Sequence, residues 1–264
     1  MPKPPDELRN LASLLKIAED LMGPEGCPWD KAQTHQSLSS YAIEEACEVV
    51  EAIESSDDAR LKDELGDLLY QVIIHCQIAK QRGSFNFMDV VENLSQKLIR
   101  RHPHVFGSAK AETIEQVKAE WEKIKKAEKR DKPTDPLALD VPTGLPALQR
   151  ASKIGHRTNK LKFDWSNVNQ VLAKVQEEHQ ELCEAMQTGN KEKIHHEIGD
   201  ALFSLAQLAR HLELDPEQIL REANRRFERR FEAMIMLCRK RGWDWEKLNP
   251  EEKESLWREV KASN

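Results

Sequence analysis

No run of about 20 apolar residues, the length a bilayer-spanning helix needs, occurs anywhere in the 264 residues. The most apolar stretch near mid-chain, 68–79, is shorter and contains Gln71, His75 and Gln77. The first 20 residues carry Asp6, Glu7, Glu19 and Asp20 and lack a continuous apolar segment, so neither membrane insertion nor secretion is expected and the cytoplasm is. Cysteine is sparse and unpaired in pattern. Cys27, Cys47, Cys76, Cys183 and Cys238 are odd in number, with no Cys-x-x-Cys, and read as reduced thiols, not as a disulfide or zinc framework. Positive charge is in deficit, 40 Lys and Arg against 46 Asp and Glu, which argues against an extended nucleic-acid-binding surface. Ten Gly and 12 Pro are too few for a fibrous or low-complexity chain. Also missing are Asn-Gly and Asp-Gly hairpin turns, a Gly-x-x-x-x-Gly-Lys-Ser/Thr phosphate loop, and any recognisable Ser/His/Asp or Cys/His catalytic context.

What is present is helical periodicity. Leu61, Leu65, Leu68, Leu69, Val72 and Ile73 recur at helical spacing, and the same pattern holds almost throughout. The reading is all-α, with helices over 5–22, 37–54, 59–82, 87–101, 113–130, 145–158, 167–188, 191–213, 216–241 and 250–262. Pro133, Pro136, Pro142 and Pro146 cannot continue a helix, so 131–146 is expected to be a linker between domains 1–130 and 147–264. Chain length agrees, since domains typically hold about 150 residues.

The two halves are related. Tyr41–Tyr70 aligned with Lys174–Phe203 gives nine identities without a gap, six of them acidic: Glu44, Glu45, Glu48, Glu51, Glu64 and Asp67 match Glu177, Glu178, Glu181, Glu184, Glu197 and Asp200. Further on, Lys97–Arg101 faces Arg226–Arg230, and Trp121–Lys125 faces Trp257–Lys261. Each half is read as one copy of a helical unit.

In each copy one helix carries Glu-x-x-Glu and the next Glu-x-x-Asp: Glu45 and Glu48 with Glu64 and Asp67, and Glu178 and Glu181 with Glu197 and Asp200. Residues three apart share a helix face, so antiparallel neighbours would converge four carboxylates on one space. Acidic residues on a helix ordinarily face solvent. Two features argue otherwise here: the recurrence at identical spacing, and the apolar neighbours Leu65, Leu68, Leu69, Ile198 and Leu202, which place the carboxylates beside a packed face. Such a quartet needs a counter-cation, and hard oxygen ligands select Mg²⁺, with Mn²⁺ as an alternative. Gly66 and Gly199 lie inside helices and fit either close packing or backbone approach by a ligand. The basic residues that follow in both copies, Lys97, Arg100 and Arg101, and Arg225, Arg226, Arg229 and Arg230, suit phosphate oxygens. A metal-dependent reaction on a polyphosphate is the chemistry these groups share.

The segments Gly26–Lys31 with Gln33 and Thr34, Glu64–Leu69, Arg100–Phe106, Gly199–Asp200 and Arg226–Phe231 resemble the MazG family of nucleoside triphosphate pyrophosphohydrolases, in its two-copy bacterial form. That family belongs to an all-α superfamily with dimeric dUTPases and phosphoribosyl-ATP pyrophosphohydrolases. The resemblance implies an Mg²⁺-dependent homodimer that cleaves NTPs and dNTPs between the α- and β-phosphates, leaving the nucleoside monophosphate and pyrophosphate. It implies metal binding by Glu178, Glu181, Glu197 and Asp200, a catalytic set completed by Arg226 and Arg230. It implies nucleotide contacts from Lys174, Val175, Gln176, Glu177, Glu178, Lys193, Ile194, His195, His196, Arg226, Phe227, Glu228, Arg229, Arg230, Trp257 and Lys261. In two-copy members the second copy carries the activity. Here the first copy keeps its own quartet, Glu45, Glu48, Glu64 and Asp67, and a candidate second site at Lys97, Arg101, Trp121 and Lys125. Arg226, where Lys is usual, and His195-His196, where acidic residues are common, depart from the pattern. Two other classes fit parts of the chain. A di-iron carboxylate bundle wants Glu-x-x-His on two helices, which only Glu192 and His195 supply, since Ala59 and Lys62 stand in the other copy. A non-catalytic helical interaction module would use the repeat as a scaffold alone.

Overall fold

The structure, a computed structural model, describes residues 2–130, 135 and 137–262, with no strand among them. The chain divides into two units, Met1–Pro133 and Thr134–Asn264. The first contains α1 (Leu11–Leu21), α2 (Pro28–Lys31), α3 (Ser39–Ser55), α4 (Asp58–Gln81), α5 (Phe87–Arg101), α6 (Pro103–Phe106) and α7 (Ile114–Arg130). The second contains α8 (Ala147–Lys160), α9 (Val168–Thr188), α10 (Lys191–His211), α11 (Pro216–Lys240), a single 3-10 turn at Trp245–Lys247, and α12 (Pro250–Ala262). Of the expected linker, residues 131–134 and 136 lie outside the described residues, and 137–146 is irregular. No described helix is long and apolar enough to cross a membrane.

The helix expected over 5–22 begins only at Leu11. Asn10 ends the preceding extended segment, and its side chain accepts from the Ala12 N–H at 2.8 Å, satisfying a first-turn donor that would otherwise lack a partner. Two four-residue helices, α2 and α6, were not expected. Each starts on a proline, whose fixed φ and missing N–H suit a first helical position and nowhere deeper.

The central hairpin of each unit is built by the same local chemistry. α3 closes on Ser56 at φ 56°, and Asp57 then caps α4 by accepting from the Ala59 and Arg60 N–H groups. α9 closes on Gly189 at φ 65°, and Asn190 caps α10 through Glu192 and Lys193. Two residues, one left-handed and one a cap, reverse the chain in both copies. Met22, Leu38, Ile74 and Ile78, with Tyr70 against them, form a core in the first unit. Met234, Cys238, Leu256 and Val260 join α11 to α12 in the second.

The second unit also buries a polar network. Arg210 clamps Asp164 through two N–H groups at 2.6 and 2.8 Å and donates to Gln207, which in turn donates to the Ala151 carbonyl. Although burial disfavours its charge, Arg210, Asn159 and His211 hold the Asp164 carboxyl well below the usual carboxylate range. Gly155 makes room for this arrangement, since a Cβ there would collide with the Gln207 and Arg210 side chains.

Candidate metal and nucleotide site

The two-residue turns bring the carboxylate-bearing stretches of each hairpin side by side. In the first unit Glu45, Glu48 and Glu64 offer oxygens that lie within 4.8 Å of one another. In the second unit Glu178, Glu197 and Asp200 do the same. The fourth member of each quartet, Asp67 or Glu181, stands outside its trio. It is still close enough to be felt: desolvation, then Asp67 and Glu48, push the Glu45 carboxyl above its ordinary range. Desolvation, then Glu178 and Glu197, push Glu181 the same way. Like charges crowded in this manner favour a cation among them.

The donor set fits a hard divalent cation. Two oxygens at about 2.1 Å from one Mg²⁺ can be at most about 4.2 Å apart, so each trio needs only a small contraction to share an ion. Neither trio includes a histidine, which a di-iron bundle would require. Glu178 is the most buried member, and Lys174, one turn before it on α9, donates to it at 2.8 Å and to Glu177 at 2.8 Å. Those two carboxylates raise the Lys174 pKa. In the first copy Tyr41 stands at the Lys174 position, and a residue that sequence reading had not singled out supplies the cation. Arg60 reaches Glu64 at 3.1 Å and Glu51 at 2.7 Å. The Arg60/Glu64 spacing of one turn was the available signal.

Of the five apolar neighbours expected to form a packed face, only Leu68 is half-buried. Leu65, Leu69, Ile198 and Leu202 are all exposed, because α4 and α10 turn other stripes, such as Ile73, Ile74 and Ile78, into the unit's interior. Gly66 and Gly199 likewise have open space where a Cβ would stand, so packing within the chain does not require glycine at either position.

The other candidate residues of the second unit are placed on four helices. Val175, Gln176 and Glu177 lie beside Lys174 on α9, and Lys193, Ile194, His195 and His196 fill the turns of α10 before Glu197. Arg226, Phe227, Glu228, Arg229 and Arg230 follow one another on α11. Phe227 stacks with Phe231 and lies 5.2 Å, centroid to centroid, from Trp257 on α12, so Trp257 is a half-buried packing partner. Lys261 is exposed one turn further on. In the first unit Lys97 and Arg101 sit on α5, and Trp121 and Lys125 on α7. Among the described residues, no hydrogen bond joins Lys97, Arg101, Arg226 or Arg230 to the carboxylate trio of its unit. Instead Arg100 and Arg101 both bind Glu128, a residue that the repeat gave no reason to select.

Comparison with known proteins gives this geometry a family. A family model described as the MazG nucleotide pyrophosphohydrolase domain matches residues 33–106, which contain the first quartet. One described as phosphoribosyl-ATP pyrophosphohydrolase matches 151–227, which contain the second. A protein of Thermotoga maritima, named nucleoside triphosphate pyrophosphohydrolase/pyrophosphatase MazG, is 42% identical over 95% of this chain and 95% of its own length. A nucleoside triphosphate pyrophosphohydrolase of Escherichia coli is 42% identical over 96% of this chain and 98% of its own. A solved MazG-related protein from Thermotoga maritima is 27% identical over 44% of this chain and 99% of its own, with a TM-score of 0.39. With two such relatives matched along nearly their whole length, the chain belongs to the MazG family of nucleotide pyrophosphohydrolases, hydrolases of phosphoric anhydrides.

Proposed function

We propose that the chain is an Mg²⁺-dependent enzyme, cleaving NTPs and dNTPs between the α- and β-phosphates to the monophosphate and pyrophosphate, with the second unit as its catalytic half. The observation that carries this reading is the trio of Glu178, Glu197 and Asp200 within 4.8 Å, with Lys174 against its buried member. Glu178, Glu197 and Asp200 would hold Mg²⁺, which when bound would supply Lewis-acid activation of a phosphate and of an attacking water. Glu178, held in place by burial and by Lys174, fixes one edge of the cation site. Glu181, outside the trio but one turn beyond Glu178 on the same helix, is placed to accept a proton from water. Arg226 and Arg230, one turn apart on α11, share a face that can offset charge developing on the pyrophosphate.

The exposed stripe Ile198, Leu202 and Leu205 on α10, with Gly199 open beside it, is the face we assign to a second copy in a homodimer. Product analysis with each NTP and dNTP tests the activity. Pyrophosphate and monophosphate in equal amounts are expected, and a chelator should abolish both. Orthophosphate without pyrophosphate would overturn the reading. Light scattering at two concentrations checks the dimer, which a monomeric mass at both would exclude.

A further inference from the structure

On α7, Trp121, Lys125 and Glu128 stand at i, i+4 and i+7, along one face of one helix. At one end of that face the Trp121 ring is 39% exposed, and the Lys125 ammonium lies 4.3 Å from its centroid. At the other end Glu128 takes Arg101 through Nη2 at 2.6 Å and through Nε at 3.2 Å, and takes Arg100 at 2.7 Å. Both arginines belong to the last turn of α5, one turn beyond Lys97.

An exposed indole followed by an ammonium and two guanidiniums is the chemistry that receives a nucleotide. The ring offers a stacking surface to a base, and the cations offer donors to a phosphate chain. In the free chain each of these functions is occupied by a neighbouring side chain. The ammonium covers the ring, and a carboxylate sits where phosphate oxygens would sit. The hydrogen bonds from Arg101 and Arg100 hold the Glu128 carboxyl at about 2, so it stays ionised in neutral solution and a change of pH there does not release it. A competitor must bring more charge and more oxygens than one carboxylate, as a di- or triphosphate does. Among its described residues the second unit has no such occupant. Arg226, Arg229 and Arg230 make no ion pair among the described residues, and Asn264 is the residue that the repeat pairs with Glu128.

We propose that the first unit holds a second, latent nucleotide site, with Trp121 for the base and Lys125, Arg100 and Arg101 for the phosphates, which Glu128 keeps filled until a polyphosphate displaces it. The comparison rests on the nucleotide reading of the second unit, but the occupied surface is a property of the first unit itself. A carboxylate tethered beside these arginines competes with the nucleotide, and two part-exposed ion pairs raise the nucleotide concentration needed by up to about 10-fold. The site would therefore fill only when nucleotide is abundant, after the second unit is saturated.

Calorimetric titration of the full chain with Mg²⁺ and a nonhydrolysable α,β-imido nucleoside triphosphate counts the sites. The unmutated chain should show one tight event and a second, up to about 10-fold weaker. Glu128→Gln should tighten the second event by about that factor while leaving the first event and pyrophosphate release unchanged, and Trp121→Ala should remove the second alone. A second event that is absent from both chains, or that Glu128→Gln does not tighten, overturns the proposal. If a melting scan shows that Glu128→Gln unfolds the first unit, the unmutated chain decides: a weak second event lost in Trp121→Ala supports the site, and its absence refutes it. Failure of the catalytic reading would appear separately, as no pyrophosphate from the unmutated chain.

Discussion

Lys174 shows how one residue can stabilise a metal site and compete with its metal. Its ammonium is 2.8 Å from the Glu178 carboxylate, and only 8% of the Glu178 side chain is exposed. A buried carboxylate without a partner is costly, but the lysine is about one-third exposed, so solvent screening limits its contribution to about 1–2 kcal/mol. The same contact must loosen when a divalent ion takes the Glu178 oxygens. Lys174→Met is therefore expected to lower the melting temperature by a few degrees without Mg²⁺, and to enlarge the rise that Mg²⁺ produces. Thermal melts with and without 10-fold steps in Mg²⁺ check this, and an Mg²⁺ response equal to that of the unmutated chain would argue that Lys174 does not compete for the site. The sequence placed Lys174 near the site only through family resemblance. The ion pair itself follows from its one-turn spacing to Glu178 and from the burial of that face of α9. Glu128 was illegible for the opposite reason, since its partners Arg100 and Arg101 lie on another helix and nothing local links them.

At the scale of elements, the hairpin turns decide where the carboxylates meet. Ser56 and Gly189 occupy equivalent positions and the same left-handed conformation, yet only Gly189 adopts it without a Cβ penalty. Ser56→Gly is expected to stabilise the first unit by a few tenths of a kcal/mol to about 1 kcal/mol, and Gly189→Ala to destabilise the second by about 1 kcal/mol. Urea unfolding of the full chain measures both, and a Ser56→Gly chain no more stable than the unmutated one would show that Ser56 carries no Cβ penalty in this turn. Helical periodicity made most helices legible, and caps of this kind fix where they start. Asp215 before Pro216 and Asn190 before Lys191 mark starts that agree with the structure. Where the cue was absent, the reading drifted. The apolar pattern before α1 runs back past Asn10, so nothing but the cap itself distinguishes helix from the extended segment over 5–9. The exposure of Leu65, Leu69, Ile198 and Leu202 was equally hidden, because a long helix in a bundle can carry two apolar stripes and composition does not say which one its own unit covers.

At the scale of the whole molecule, duplication supplied two copies of one carboxylate hairpin, and the copies have diverged in how their charges are satisfied. In the first unit, internal partners occupy the cations. Arg60 spans Glu51 and Glu64, and Glu128 holds Arg100 and Arg101. Among the described residues of the second unit Lys174 alone is committed to the trio, and the α11 arginines Arg226, Arg229 and Arg230 remain available for an anion. A unit whose cations are already neutralised loses electrostatic stabilisation of a polyphosphate leaving group, the largest contribution such a site can make. The expected division of labour is therefore unequal. Glu181→Gln should remove at least about 100-fold of kcat, the order typical for loss of one proton-transferring or charge-stabilising group. Glu48→Gln should leave kcat within a factor of about two, because it alters the unit whose arginines are closed. Steady-state pyrophosphate release by the two variants, each first shown to melt like the unmutated chain, makes the comparison. If Glu48→Gln proves the more damaging, the active half is the first unit, and Glu128 would then have to be displaced in every catalytic cycle.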